Sequence, residues 1–246
     1  MAVKLGRIGY RICQGTLIIE LERMHRIISS APRGGGILRA RSILNHQVPA
    51  NPSAHNHQVA TTWRNPARDL GRLAVRHKAM TPVVGLMTAV PMKQLVVRRE
   101  ESGPLWVECF CTVGVTNAVR AGESPPRTSH RHRHGTINII LITNATLTMT
   151  ALVGAVQVAT ESKTGTLIQN GVRSRARTAL LATGTGTDAV VIASSLEGRH
   201  KLPYSGTHTE IGAMIGRLVS RCVQVGLTRS ARWARSRYRR PGRARA

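Results

Sequence analysis

Carboxylate side chains are scarce in this 246-residue chain, 11 Asp and Glu against 36 Lys and Arg, so the placement of each one is informative. Beyond Glu123 only Glu161, Asp188, Glu197 and Glu210 remain, and Asp69 and Asp188 are the only aspartates. Around Asp188 the sequence reads ATGTGTDAVVIASS, in which Thr183, Thr185 and Thr187 alternate with glycines before an apolar run. A threonine hydroxyl beside a base can act as a covalent nucleophile, and glycine amides between such threonines can donate to an oxyanion. The run also looks like a phosphate cradle, but it precedes a strand and lacks the strand-then-helix order and the lysine of a P-loop. Glu161 and Lys163 stand two apart in a helical pattern, point in different directions and by spacing alone read as a solvated pair. His208, in YSGTHTE, is a candidate general acid or base, although a lone histidine there is more often a capping or core residue.

The stretch from His134 to Ser195 has to position most of these groups. From Gly135 to Ala145 it alternates as a strand: Thr136, Asn138 and Asn144 share a face with Ile140 and Ile142, while Ile137, Ile139 and Leu141 make the other face wholly apolar. From Thr146 the period becomes helical, with Leu147, Ala151, Ala155, Val158 and Ala159 on one stripe. A second strand follows at Ala189 to Ala193. Further on, Thr209 reads as an N-cap with Glu210 in the first turn, and Ile211, Met214, Ile215, Leu218, Val219 and Cys222 form the apolar face of the next helix.

Upstream, Lys4 to Cys13, Thr16 to Leu21 and Arg26 to Ser30 read as a small antiparallel meander, broken at Pro32-Arg33-Gly34-Gly35-Gly36. Ile37 to Asn45 reads as a short helix, Gln47 to Pro66 as loop and Ala67 to Met80 as helix. Val83 to Ala89 is a buried strand, and Gln94 to Arg99 with Leu105 to Val115 form a hairpin across Glu100-Glu101-Ser102-Gly103-Pro104. The expected fold is α+β, with helices packed on a predominantly antiparallel or mixed sheet; α/β is the alternative. Residues 1–228 form the expected domain. Residues 229–246, with eight arginines and no acid from Arg229 onward, are expected to be a disordered tail.

Cys109 and Cys111 share a strand face and could be paired ligands, but buried free thiols are the commoner reading. His55 and His57 and the Ser-His-Arg-His-Arg-His run at 129–134 read as surface loops, so any metal is unknown. The four cysteines lack the spacing of a secreted scaffold, which points to the cytoplasm, and the first residues do not form a secretory signal. Ile137 to Thr160 carries no charge for 24 residues, yet its threonines, asparagines and change of period argue against a membrane span. The net charge of +25 suits polyanionic partners, but with 3% aromatics and scattered arginines nucleic acid is disfavoured without being excluded.

Five blocks, IISSAPRGGGILRARSILNHQV, VGLMTAV, TVGVTNAVRAGES, GTINIILITNATLTMTALVGAVQVATESKTGTL with ATGTGTDAVVIASS, and YSGTHTEIGAMIG, stand in an order that resembles the adenosylcobinamide amidohydrolases, enzymes of corrinoid salvage. The resemblance runs from about Arg26 to Gly226. Arg33 stands where that family commonly has Asn, and Glu123 where it usually has Asp. The resemblance implies hydrolysis of the aminopropanol amide of adenosylcobinamide to adenosylcobyric acid and 1-amino-2-propanol, as a step of cobalamin biosynthesis. On that footing His208 is the general acid or base, Asp188 or Glu161 orients it or activates water, and Lys163 stabilises negative charge. Gly34, Gly35, Gly36, Thr88, Asn117, Asn138, Asn144, Thr183, Thr185 and Thr187 then line the substrate site. The corrinoid is substrate rather than cofactor, no cofactor is required, and the oligomeric state is unknown. The alternative is a non-catalytic corrinoid- or polyanion-binding protein.

Overall fold

The computed structural model describes residues 8–49, 65–124 and 135–238, with side chains as far as residue 233. Twelve strands and three α-helices follow one another among them: β1 (Tyr10–Cys13), β2 (Thr16–Ser29), β3 (Gly36–Gln47), α1 (Pro66–Arg76), β4 (Val83–Thr88), β5 (Val96–Ser102), β6 (Leu105–Val113), β7 (Ala118–Val119), β8 (Ile137–Thr143), β9 (Thr146–Leu147), α2 (Met149–Gln169), β10 (Gly184–Thr185), β11 (Ala189–Ser195), β12 (Lys201–Leu202) and α3 (Glu210–Tyr238). The main sheet runs β4-β3-β2-β11-β8-β6-β5, with β1 also paired to β2. β3 with β4 and β8 with β11 are parallel, and the other neighbours in this sheet are antiparallel, so the fold is α+β on a mixed sheet.

The alternation along β8 distributes its side chains as the period-two pattern demands. Ile137, Ile139 and Leu141 join the core beneath α2 and α3, while Ile140 and Ile142 face a second core with Phe110, Ile43, Leu86 and Val191. Ala151, Ala155, Val158 and Ala159 of α2 and Ile211, Met214, Ile215, Leu218, Val219 and Cys222 of α3 all enter the first core. Burying each large aliphatic chain contributes about 1.5–3 kcal/mol, which is how a chain with one Phe sustains two cores.

β2 is one long strand rather than two runs of a meander. A register shift between Glu20 and His25 bends it, so β1 pairs with its first half and β11 with its second. The bend carries β3 and β4 across the sheet face towards β8. There, polar side chains close the second core: Asn138 Nδ2 donates to Asn45 Oδ1 at 2.9 Å and to the Met87 carbonyl at 2.9 Å, and Asn45 Nδ2 donates to Thr112 Oγ1 at 3.2 Å.

Several expectations need correction. Ile37 to Asn45 is not a helix but most of β3, because its partners lie in β2 and β4 and nonlocal pairing overrides local propensity. Leu147 precedes α2: Thr146 and Leu147 pair with β12, and Thr148 is the N-cap, accepting from the Ala151 amide at 3.1 Å. At the other end, α3 continues past Arg229, where composition suggested a tail, as far as Tyr238. His55, His57, the His-Arg run at 129–134 and residues 239–246 lie outside the described residues.

The uncharged stretch from Ile137 is divided among β8, β9 and the start of α2, and among the described residues no helix is long and apolar enough to cross a membrane. Cys109, Cys111 and Cys222 are buried free thiols and Cys13 is exposed. A hydrogen bond with Cys222 and then burial hold the Cys109 thiol well above its usual range.

Asn138→Ala removes the side-chain donor to Asn45 Oδ1 and to the Met87 carbonyl inside the core, so urea denaturation should register a loss of about 2–3 kcal/mol. Burial lowers the pKa of His25 and of His46, with the positive charges of His77 and Arg76 adding to the effect at His46. Near pH 6 the unfolded chain therefore binds more protons than the folded one. Stability should be full above about pH 6.5 and fall as the pH drops below it, with a shallower fall in His25→Asn, as followed by urea midpoints across pH.

Candidate functional site

Asp188 lies at the entry to β11, where the chain leaves the glycine-threonine run, and all four of its hydrogen bonds are local to one end of the sheet. Oδ2 accepts from Lys163 Nζ at 2.6 Å and from the Thr185 amide at 3.0 Å, while Oδ1 accepts from the Ile137 amide at 3.0 Å and the Thr185 hydroxyl at 2.5 Å. A carboxylate offers about four acceptor positions, so this one is fully engaged. The ion pair is largely shielded from solvent, with 9% of the Lys163 side chain and 13% of the Asp188 side chain exposed.

Lys163 projects inward from α2, whereas Glu161, two residues earlier, is exposed. The two charges come close because Gly184 has no side chain: a Cβ there would stand 2.6 Å from Asp188 Oδ2 and 2.8 Å from Lys163 Nζ. β10, which includes Gly184 and Thr185, is held in place by antiparallel pairing with β7. Thr164 Oγ1 donates to the Thr183 carbonyl at 2.9 Å, tying α2 to the same run.

The three threonines of the run separate by partner. Thr183 Oγ1 accepts from the Ala121 amide at 2.8 Å, and Thr187 Oγ1 donates to the Gly135 carbonyl at 3.0 Å, so both fasten neighbouring loops. Thr185 alone of the three donates to the carboxylate. Beside it, a Cβ on Gly186 would lie 3.9 Å from Asn117 Nδ2. Asn117 Oδ1 is buried and has no hydrogen-bond partner.

The remaining residues singled out from sequence take no part in the cluster's hydrogen bonds. Asn138 spends its amide protons on Asn45 and Met87 inside the core, and Thr88 Oγ1 accepts from the Val90 amide at 3.1 Å. Asn144 accepts from the Trp106 amide at 2.9 Å and donates to the Pro104 carbonyl at 2.7 Å, at the far end of β8. Seven residues of strand, about 20 Å, separate that end from Ile137 and Asp188.

Gly34 sits at φ +71° against Val83 and Val84, so its freedom serves a tight approach to β4. A Cβ on Gly35 would meet the Ala31 carbonyl at 2.9 Å, and Gly36 opens β3 opposite Ser29. The turn is anchored at its start by the Ser30 amide donating to the Val190 carbonyl at 3.1 Å.

His208 is exposed in the turn before α3. That turn docks on the first part of α2, where Ser205 Oγ donates to the Ala151 carbonyl at 2.5 Å; Lys163 is twelve residues further along the helix, about 18 Å at 1.5 Å per residue. The structure therefore brings Asp188, Lys163, Thr185 and Asn117 together and does not bring His208 or Glu161 to them. Asn45 and Thr112, which support this end of the sheet from within, escaped notice because Asn45 lies in a stretch read as helix and Thr112 is an unremarkable strand threonine. Among the described residues no three His, Cys, Asp or Glu side chains converge to hold a metal ion.

A helix-borne ammonium, a carboxylate and a threonine hydroxyl gathered at one end of a mixed α+β sheet make a polar centre suited to acyl chemistry. The sequence profile of the adenosylcobinamide amidohydrolase family matches residues 3–235, and the chain belongs to that family. It is 32% identical over 228 residues to the adenosylcobinamide amidohydrolase of Methanosarcina mazei, covering 89% of this chain and 96% of that one. An uncharacterized protein of Methanocaldococcus jannaschii is 30% identical over 226 residues, 85% of this chain and 84% of its own. A crystal structure of a Pyrococcus horikoshii protein overlaps 87% of this chain and 76% of its own, with a TM-score of 0.40 and 10% identity.

Lys163→Met would leave the Asp188 carboxylate without its counter-charge in a shielded site. Breaking one side of such a pair should cost about 3 kcal/mol, read from urea unfolding, and Lys163→Met combined with Asp188→Leu should recover part of the loss.

Proposed function

We propose that the protein hydrolyses the amide linking 1-amino-2-propanol to the corrinoid in adenosylcobinamide, releasing adenosylcobyric acid and 1-amino-2-propanol. Family membership supports the substrate class, and the Lys163–Asp188–Thr185 cluster is the observation that carries the chemistry. Amide hydrolysis needs a nucleophile, proton transfer and stabilisation of an oxyanion. Asp188 is the proton acceptor of this reading, and Lys163 supplies positive charge beside the reacting carbonyl through the ammonium protons not directed at Asp188. Asn117, whose Nδ2 approaches the Gly186 turn while its unpartnered Oδ1 lies buried beside Gly135, is the substrate-facing amide of this reading. Asn138, Asn144, Thr88 and the Gly34 to Gly36 turn act through the fold that holds these groups. His208 and Glu161 serve the reaction only if substrate or a chain movement connects them to Asp188, so they rank below the cluster.

The surplus positive charge is the observation behind a second reading, a corrinoid- or polyanion-binding protein without turnover. Purified protein incubated with adenosylcobinamide, with the corrinoid products separated chromatographically, distinguishes the two. Adenosylcobyric acid should accumulate with the native protein and form about 10²- to 10⁴-fold more slowly with Asp188→Asn, the span of one lost acid–base group. Native protein that binds the corrinoid without releasing 1-amino-2-propanol would establish the second reading instead.

A further inference from the structure

Within the cluster, the hydroxyl of Thr185 is the group that distinguishes the site from a purely structural ion pair. It donates to Asp188 Oδ1 at 2.5 Å, while the other oxygen of the same carboxylate takes Lys163 Nζ at 2.6 Å. The carboxylate is itself immobilised by the Ile137 and Thr185 amides. A base that is rigidly held, with a hydroxyl proton directed at it, is the arrangement that activates an alcohol for attack. Thr183 and Thr187 lack it, because the one accepts from a backbone amide and the other donates to a backbone carbonyl. Thr185 is also placed at an edge: it is 9% exposed, and Gly186 and Thr187, which follow it, are exposed.

We infer that Thr185 is the nucleophile and that the reaction passes through a corrinoid acyl ester on its Oγ1, an inference that rests on the amidohydrolase reading above. In the first half, Thr185 Oγ1 bonds to the amide carbon as its proton moves to Asp188, and the carbonyl electron pair shifts onto oxygen. Collapse of that oxyanion breaks the C–N bond, and the departing nitrogen takes the proton from Asp188 to leave as 1-amino-2-propanol. In the second half, water attacks the ester carbon and gives a proton to Asp188. The C–O bond to Thr185 breaks and the threonine oxygen recovers that proton, freeing the carboxylic acid. Lys163 keeps its charge throughout, next to both oxyanions. No redox partner or metal enters the balance.

The test is turnover of adenosylcobinamide by Thr185→Val and Thr185→Ser beside the native protein, with circular dichroism to verify folding. Thr185→Val preserves the side-chain shape without the hydroxyl and should lose at least about 10³-fold in turnover, while Thr185→Ser should stay within about tenfold. Hydroxylamine added to the native protein should divert product to the corrinoid hydroxamate. Acid quenching during turnover should leave the acyl mass on the peptide that contains Thr185. A folded Thr185→Val that turns over within tenfold of native would overturn the inference and leave the amidohydrolase reading standing. Should Thr185→Val fail to fold, native hydrolysis that continues in molar hydroxylamine with no hydroxamate formed overturns it equally. Absence of hydrolysis by the native protein, by contrast, removes the underlying reading itself.

Discussion

The contact between Lys163 and Asp188 is the constraint around which one end of the molecule is arranged. Opposite charges shielded from water hold best when the carboxylate's remaining lone pairs are met, and Asp188 meets its own with two backbone amides and a hydroxyl. That requirement dictates the neighbourhood. Gly184 must lack a side chain, β10 must be pinned by β7, and α2 must lie where Lys163 reaches the start of β11. The polar layer of Asn45, Thr112 and Asn138 answers a related need one level deeper, closing the apolar interior without leaving amides unpaired.

The elements around the pair owe their form to local patterning, and their arrangement to contacts far apart in sequence. The alternation from Gly135 to Ala145 and the helical stripes after Thr148 and Thr209 were legible because a continuous face of β8, of α2 and of α3 as far as Val223 is buried. β3 was not legible. Its residues LRARSILN suit a helix as well as a strand, and what makes them a strand is the pairing with β2 and β4 and the bend at Glu20 to His25. The site was legible in part for the same reason. The scarcity of acids pointed to Asp188, and the neighbouring threonines were visible as a set. Their different partners depend on loops that approach from Gly135 and Ala121, which no spacing within the run reveals. The distance from His208 to Asp188 follows from the docking of the turn at Ser205 on α2, again a nonlocal fact.

Acid scarcity shapes the exterior as well. Among the described acids, Glu100 meets Arg217 and Arg221, Glu197 meets Arg23 and Glu20 meets Arg11, clasping one element to another, while Asp69 meets Arg72 one turn along α1. Glu123 likewise accepts from Ser174 and the Arg120 amide, which holds the loop after β7 against the loop before β10. With most carboxylates committed in this way, the remaining arginines go unneutralised and the surface carries the positive field.

β8, α2 and β11 form one strand–helix–strand unit, and the two charged residues of the site are 25 positions apart within it. An ion pair of such short loop span needs neither end of the chain to be in place before it can close. On the ribosome, this strand–helix–strand unit has its ion-pairing residues in hand once its own segment has emerged, and α3 follows to complete the core it shares with α2. A defect in the apolar face of that last helix therefore reaches the core under α2 and β8 rather than an outer shell.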